Sequence, residues 1–238
     1  SVITANEFEQ NGGKTERKPA DVKELDLEIA KKNGFDKQKI SLGGEHLGPL
    51  TFAVKDEAEA MTDAEELIRH YEAGGFTEIH IDTSMKKRSD AEDERWSDEV
   101  IARRGARLAQ VAEKTYQELL KKEPDAIPPV YIIGSEVPIP GGAVGSEDTG
   151  VQVTKVDDFK NTVQTFEKAF ADAGLGQDVW ERVIGVVVQP GVEEKDSGCT
   201  EYDREKAKEL MASIKDFPNL VFEGHSTDYQ TKIKLREL

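Results

Sequence analysis

The sequence predicts an α/β protein on a parallel sheet, a (β/α)8 TIM barrel of which about six βα units are present. Three observations predict it. Short apolar runs alternate with longer amphipathic stretches along all 238 residues, the order that produces right-handed βαβ units. The run Val183-Ile184-Gly185-Val186-Val187-Val188 does not alternate polar with apolar, which suits a strand covered by helices or side chains on both faces. Polar segments marked by Gly or Pro follow five consecutive strands, and that end of the strands is where barrels and doubly wound sheets keep their sites.

Strands are expected at residues 2–5, 39–43, 78–82, 130–134, 183–188 and 220–223. Each is short and most are rich in β-branched residues or Leu. Pro19 opens the first helix, which carries Val22, Leu25 and Ile29 and is closed by Gly34. Met61, Ala64, Ile68 and Tyr71 form the apolar stripe of a second helix, ended by Gly74-Gly75. A third, at 97–122, holds Leu108, Val111, Ala112 and Leu119. In the fourth, at 154–173, Phe159, Val163, Phe166, Phe170 and Ala173 recur every three or four residues along one face. Thr154 with Asp157 reads as its capping box and Gly174 as its stop. Asp203 caps a fifth helix bearing Ala207, Leu210, Met211 and Ile214.

A closed barrel of this kind has eight strands. With six in view, either strands have escaped the count or one unit before Ser1 and one after Leu238 are absent from the sequence; absence is the expectation, and residues 1–238 are read as a single partial-barrel domain. An open doubly wound sheet, and a barrel completed by another chain, stand as alternatives.

The formal charge of −16 repels nucleic-acid backbones and anionic lipids, so neither is expected as a partner. No apolar run reaches the roughly 18 residues of a membrane span, and no leader pattern follows Ser1. Cys199 is the only cysteine, which favours a reducing, cytoplasmic setting. An anionic ligand would need local N–H donors against this general field.

His46 and His225 directly follow strands, as does Glu136; 90 and 89 residues separate them along the chain. Only a fold that gathers strand ends could bring them together. Two imidazoles and a carboxylate would suit Zn²⁺ or Mn²⁺ with positions left for substrate oxygens. Glu45 and Asp82 are the acid/base candidates. His80 shares a strand face with Asp82, two residues away, and is read as wall of the site. Gln189, Ser226 and Asp228, in loops after strands, are read with it as substrate contacts. Gly141-Gly142 could offer backbone N–H groups to a phosphate. There is no Walker loop and no GxGxxG, so no nucleotide cofactor is expected. His70, in a charged helix, reads as surface.

Several segments together resemble one family. Gly43-Gly44-Glu45-His46-Leu47-Gly48-Pro49 is similar to its GGDHLGP, and Ile79-His80-Ile81-Asp82-Thr83-Ser84-Met85 to its IHLDASM. Residues 131–142 are similar to YVIGTEVPxPGG, while Val187-Val188-Gln189-Pro190-Gly191 and Glu223-Gly224-His225-Ser226-Thr227-Asp228-Tyr229-Gln230 complete the set, with Asn6, Gln10 and Gly12-Gly13 in place near the start. The likeness runs in order over essentially the whole chain. The family is the non-catalytic subunit of tagatose-1,6-bisphosphate aldolase, often labelled tagatose 6-phosphate kinase. The resemblance implies a TIM barrel related to class II aldolases, and a subunit that supports a separate catalytic aldolase in galactitol and tagatose catabolism, with an oligomer left open. Some relatives are metal-dependent 4-epimerases of fructose and tagatose or their 6-phosphates. Class II aldolases hold Zn²⁺ through histidines after barrel strands; His46 and His225 match two such positions, and Gln189 stands where a further histidine is expected. Glu45 replaces the family's Asp, and Lys86-Lys87 a small or Cys-containing stretch. No phosphoryl-transfer set accompanies the kinase label. The expectations are therefore a supporting subunit, a 4-epimerase acting on a sugar or sugar phosphate, or a fragment with neither activity.

Overall fold

The computed structural model describes residues 2–4, 18–52, 54–84, 97–134, 151–195 and 198–238. Its frame is a six-stranded sheet of β1 (Val2–Thr4), β2 (Gly43–Leu47), β3 (Glu78–Ile81), β4 (Val130–Ile133), β5 (Val183–Val187) and β8 (Val221–Glu223). All neighbouring strands pair in parallel. Their spatial order is their chain order. A doubly wound sheet reverses its order at a switch point; this one winds in a single direction, as an incomplete TIM-barrel-like sheet does. Helices α1 (Pro19–Lys32), α2 (Glu57–Ala73), α3 (Asp98–Leu120), α4 (Val156–Asp172), α5 (Gln177–Trp180), α6 (Arg204–Ser213) and α7 (Lys232–Glu237) lie between and after the strands. A short hairpin, β6 (Glu193–Lys195) with β7 (Gly198–Thr200), follows β5.

The helical periodicities become buried faces. Phe159, Val163, Phe166 and Phe170 of α4 are all buried, each contributing about 1.5–3 kcal/mol. A Cβ on Gly105 of α3 would lie 2.7 Å from the Phe166 ring, so the small residue permits the close approach of α3 and α4. On α2, Ala64, Ile68 and Tyr71 face the sheet without exposure.

Two local expectations are corrected. The second strand is Gly43–Leu47, and Lys39, where the strand was expected to begin, closes a 3-10 turn at Lys37–Lys39 instead. Gly44, read as loop, is a strand residue with no space for a side chain: a Cβ on it would sit 2.6 Å from Tyr71. Thr154 does not cap α4, whose N-cap is Lys155. The Thr154 hydroxyl instead accepts the Gln189 N–H at 2.8 Å, tying the helix start to the end of β5. Asp203 does cap α6, accepting from the N–H groups of Glu205 and Lys206.

Candidate functional site

The site forms where β2, β3 and β8 end, and an irregularity in β2 creates it. Gly44 pairs with Ile79 and Leu47 with Ile81, so three steps along β2 match two along β3. The extra residue is a bulge, the device that re-aims side chains at sheet ends. His46, inside it, has φ of 51°, a left-handed conformation rare for a residue with a Cβ. Consecutive strand residues ordinarily point to opposite faces. Here Glu45 reaches a partner on β3 and His46 one at the residue that follows that strand.

Glu45 Oε2 accepts the His80 Nδ1–H at 2.7 Å, and the same N–H lies 3.3 Å from Glu223 Oε1. Glu223 Oε1 also accepts from His225 Nε2 at 2.9 Å. His46 Nδ1 donates to Asp82 Oδ2 at 3.1 Å. The other oxygen of Asp82 accepts from the Ser84 hydroxyl at 2.8 Å and the Ser84 N–H at 3.2 Å. The His46 ring centroid stands 4.9 Å from those of both His80 and His225. Three imidazoles and three carboxylates thus share one mouth. His80 is fully buried, whereas His46 keeps 39% of its side chain accessible, as a group that meets a ligand must.

The backbone is shaped for this. Gly48 lies against the Asp82 carbonyl, where a Cβ would come within 1.7 Å of the oxygen. The Asp82 N–H donates to the Leu47 carbonyl at 3.1 Å. The Thr83 hydroxyl, buried, donates to the Ile101 carbonyl at 2.8 Å, anchoring the end of β3 to α3. Ser226, next to His225, has φ of 57°, so both loops that carry imidazoles hold strained residues, a feature common at functional sites.

Charges follow from these contacts. Burial opposes ionisation of Asp82, but the hydrogen bonds from His46 and Ser84 outweigh it and hold its pKa at about 2. Burial likewise opposes ionisation of Glu45, yet the hydrogen bond from His80, with the charges of His80, His46 and His225, draws its pKa below the ordinary value. The bond to Asp82 raises that of His46, against a smaller effect of burial. The site therefore favours ionised carboxylates facing imidazoles.

One oxygen or nitrogen from each of Glu45, His80, Glu223 and His225 lies within 4.8 Å of the others. Four tetrahedral donors at about 2.1 Å from Zn²⁺ stand roughly 3.4 Å apart, so small side-chain rotations separate this arrangement from a metal-binding one. Two carboxylates and two imidazoles suit Zn²⁺ or Mn²⁺. The residues fit such an ion.

Of the residues singled out in the sequence, His46, His80, His225, Glu45 and Asp82 converge. Glu136, Gly141 and Gly142 lie outside the described residues, as do Asn6, Gln10, Gly12-Gly13 and Lys86-Lys87. Glu45, read as a proton carrier, and His80, read as site wall, belong to the four-donor group, whereas His46 stands beside it on Asp82. Gln189 is buried, and its Oε1 accepts from the N–H groups of Gly191 and Val192 at 2.9 and 3.0 Å, which turns that oxygen into its own loop. Ser226 is half-buried beside His225 and Asp228 is exposed. His70 pairs with Glu66 at 3.2 Å on the surface of α2. Glu223 is the residue that sequence reasoning missed. Its signal was present: a carboxylate closing an apolar strand, two residues before a histidine.

A family model for the D-tagatose-1,6-bisphosphate aldolase subunit, GatZ/KbaZ-like, matches residues 2–238. Among solved structures, a probable tagatose 6 phosphate kinase from Sinorhizobium meliloti 1021 is 39% identical with a TM-score of 0.80, over 100% of this chain and 54% of that one. The chain thus spans about half the length of that relative. The homocysteine methyltransferase MmuM from Escherichia coli, in its apo form, is 14% identical with a TM-score of 0.36, over 73% of this chain and 54% of that one, too remote to bear on the fold.

Proposed function

The chain belongs to the D-tagatose-1,6-bisphosphate aldolase subunit GatZ/KbaZ-like family, and from that membership we propose that it binds a ketose phosphate at its strand-end cluster and serves as the companion of a catalytic aldolase chain in tagatose and galactitol catabolism. The observation that carries the binding reading is the convergence of Glu45, His80, Glu223 and His225 donors within 4.8 Å, with the His46–Asp82 pair alongside. Carboxylates and imidazoles so placed can receive the hydroxyl groups of a sugar or hold a divalent ion that does. The companion role rests on the family. Such a chain works in the cytoplasm, where its aldolase partner meets phosphorylated sugars.

The test has two arms. Calorimetric titration with tagatose 1,6-bisphosphate, with and without Mn²⁺ or Zn²⁺, is expected to show binding that His225→Ala weakens at least tenfold. Mixing with a catalytic aldolase subunit is expected to lengthen that subunit's half-life at working temperature. No sugar binding under any metal condition removes the first claim, and an unaltered half-life removes the second.

A second reading, a metal-dependent 4-epimerase of fructose and tagatose or their 6-phosphates, is favoured by the His46–Asp82 pair. A divalent ion on Glu45, His80, Glu223 and His225 would supply Lewis acidity toward sugar oxygens. Asp82, accepting from Nδ1, fixes the tautomer in which Nε2 of His46 carries the lone pair. That nitrogen can take the proton of the C4 hydroxyl as the C3–C4 bond breaks to an aldehyde and an enediolate, and return it when the bond re-forms on the opposite face of the aldehyde. Glu45 orients buried His80 through its 2.7 Å bond. Conversion of fructose 6-phosphate to tagatose 6-phosphate, abolished by His46→Ala, is the expected result. Absence of turnover by metal-loaded protein would end this reading and leave the companion role standing.

A further inference from the structure

At the opposite end of the sheet, where strands begin, the last turn of α2 carries Glu72, which is 1% exposed. Its Oε2 is buried and has no hydrogen-bond partner among the described residues. The nearby cation is committed elsewhere: Arg182 bonds Glu113 at 2.7 Å and the Pro129 carbonyl at 2.5 Å. Glu113 also accepts from the Tyr131 hydroxyl at 2.5 Å. Glu72 therefore sits beside a closed Glu113–Arg182–Tyr131 set without a counter-ion of its own among the described residues. Burial, with the Glu113 charge adding and Arg182 opposing, pushes its pKa up to about 8.

Glu72 lines a cavity of about 210 Å³ whose wall includes Leu42, Phe76 and Leu119. Lys23, Lys37, Glu123 and Asp125 also line it, the last three exposed at its mouth. With Glu72 protonated, Glu123 and Asp125 balance the two lysines, and the chain as a whole carries −16, so the field admits a cation more readily than an anion. One water needs only about 10–15 Å³; the cavity has room for a small organic molecule. A buried carboxyl without a partner among the described residues is unfavourable as an acid and more so as an anion, and a donor met by a rotation of the Glu72 side chain toward the cavity would relieve both.

We propose that this cavity is a binding site for a small organic cation, a primary ammonium on a short apolar body, with its charge on Glu72 and its carbon atoms against Leu42, Phe76 and Leu119. The site is separate from the strand-end cluster and does not depend on the function proposed for it. Binding draws the proton off Glu72, since the ammonium stabilises the ionised form that burial disfavours.

The experiment titrates the full chain at pH 7 with n-butylammonium, and separately with butanoate and n-butanol, at constant ionic strength. Repeating the calorimetry in buffers of different ionisation heat counts protons. Expected are saturable binding of butylammonium, release of close to one proton per ligand, and binding at least about tenfold weaker for the two comparators. Glu72→Gln should weaken butylammonium about tenfold or more while its melting temperature stays equal to or above that of the wild type. Wild-type butylammonium binding no tighter than butanol, or without proton release, overturns the proposal and leaves a water-filled cavity; these readouts need no variant. Glu72→Gln affinity within twofold of wild type, or tighter binding of butanoate, overturns it as well.

Discussion

Asp82 spends both oxygens on the site, one on His46 Nδ1 and one on Ser84. Its pKa, held at about 2 against an ordinary 3.8, means the interactions stabilise the fold above the ordinary value and are lost as pH falls through about 2. His46 shifts the other way, so its share is complete below 6.5 and is lost as pH rises through its raised folded value. In metal-free protein, Asp82→Asn should therefore cost ~2 kcal/mol near pH 5. The cost should shrink toward pH 2 and again above neutrality, and an NMR titration of His46 should move to lower pH. Denaturant melts across that range check the first claim; a pH-independent difference would show that the pair does not titrate as a unit. Glu72 has the opposite sign from Asp82. The native state keeps its proton to about 8 while the unfolded chain releases it near 4.5, so stability falls with rising pH across that window. Glu72→Gln should remove this loss, stabilising the protein at pH 8 by up to ~1.4 kcal/mol for each pH unit of that window.

At the scale of elements, β2 decides the site. Its bulge brings two adjacent side chains to one mouth, and Gly48 lets the strand lie on the Asp82 carbonyl. Gly48→Ala should shift β2 and cost about 1–3 kcal/mol. Loss of the His46–Asp82 bond, read as a return of the His46 pKa toward 6.5, is expected with it. The helices obey simpler rules. Asp203→Ala at the N-cap of α6 should cost about 1 kcal/mol, and Phe166→Ala, which empties the contact with Gly105, about 3–5 kcal/mol. Urea melts of the three variants rank these effects; an Asp203→Ala protein less stable than Phe166→Ala would contradict the packing account.

For the molecule as a whole, strands from distant parts of the chain assemble one cluster, so a bound ion should stabilise the sheet rather than a loop. Zn²⁺ or Mn²⁺ at a hundredfold excess over its dissociation constant is expected to add about 2.7 kcal/mol, and His225→Ala to abolish the gain. A melting temperature indifferent to both metals would argue against a metal centre. Among the described residues no helix is long and apolar enough to cross a membrane.

Local chemistry made the parallel α/β arrangement legible, because a short unbroken apolar run against an apolar spacing of three or four residues is a property of neighbours along the chain. The Phe159–Phe170 stripe and the Asp203 cap could be read for that reason, as could the family likeness carried by the segments around His46, Asp82 and His225. The sequence, by contrast, reads Glu45 and His46 as a loop after a strand that ends at Gly43, and only the pairing against β3 makes them a bulged strand with both side chains at one mouth. The sequence also leaves Glu223 as an ordinary strand end and Thr154 as a helix cap. Those roles depend on which residues arrive from more than thirty positions away, and such arrivals are set by sheet pairing and packing rather than by any local pattern. The sequence by itself determined the kinds of element and the residues able to do chemistry; the tertiary structure alone decided which of them meet.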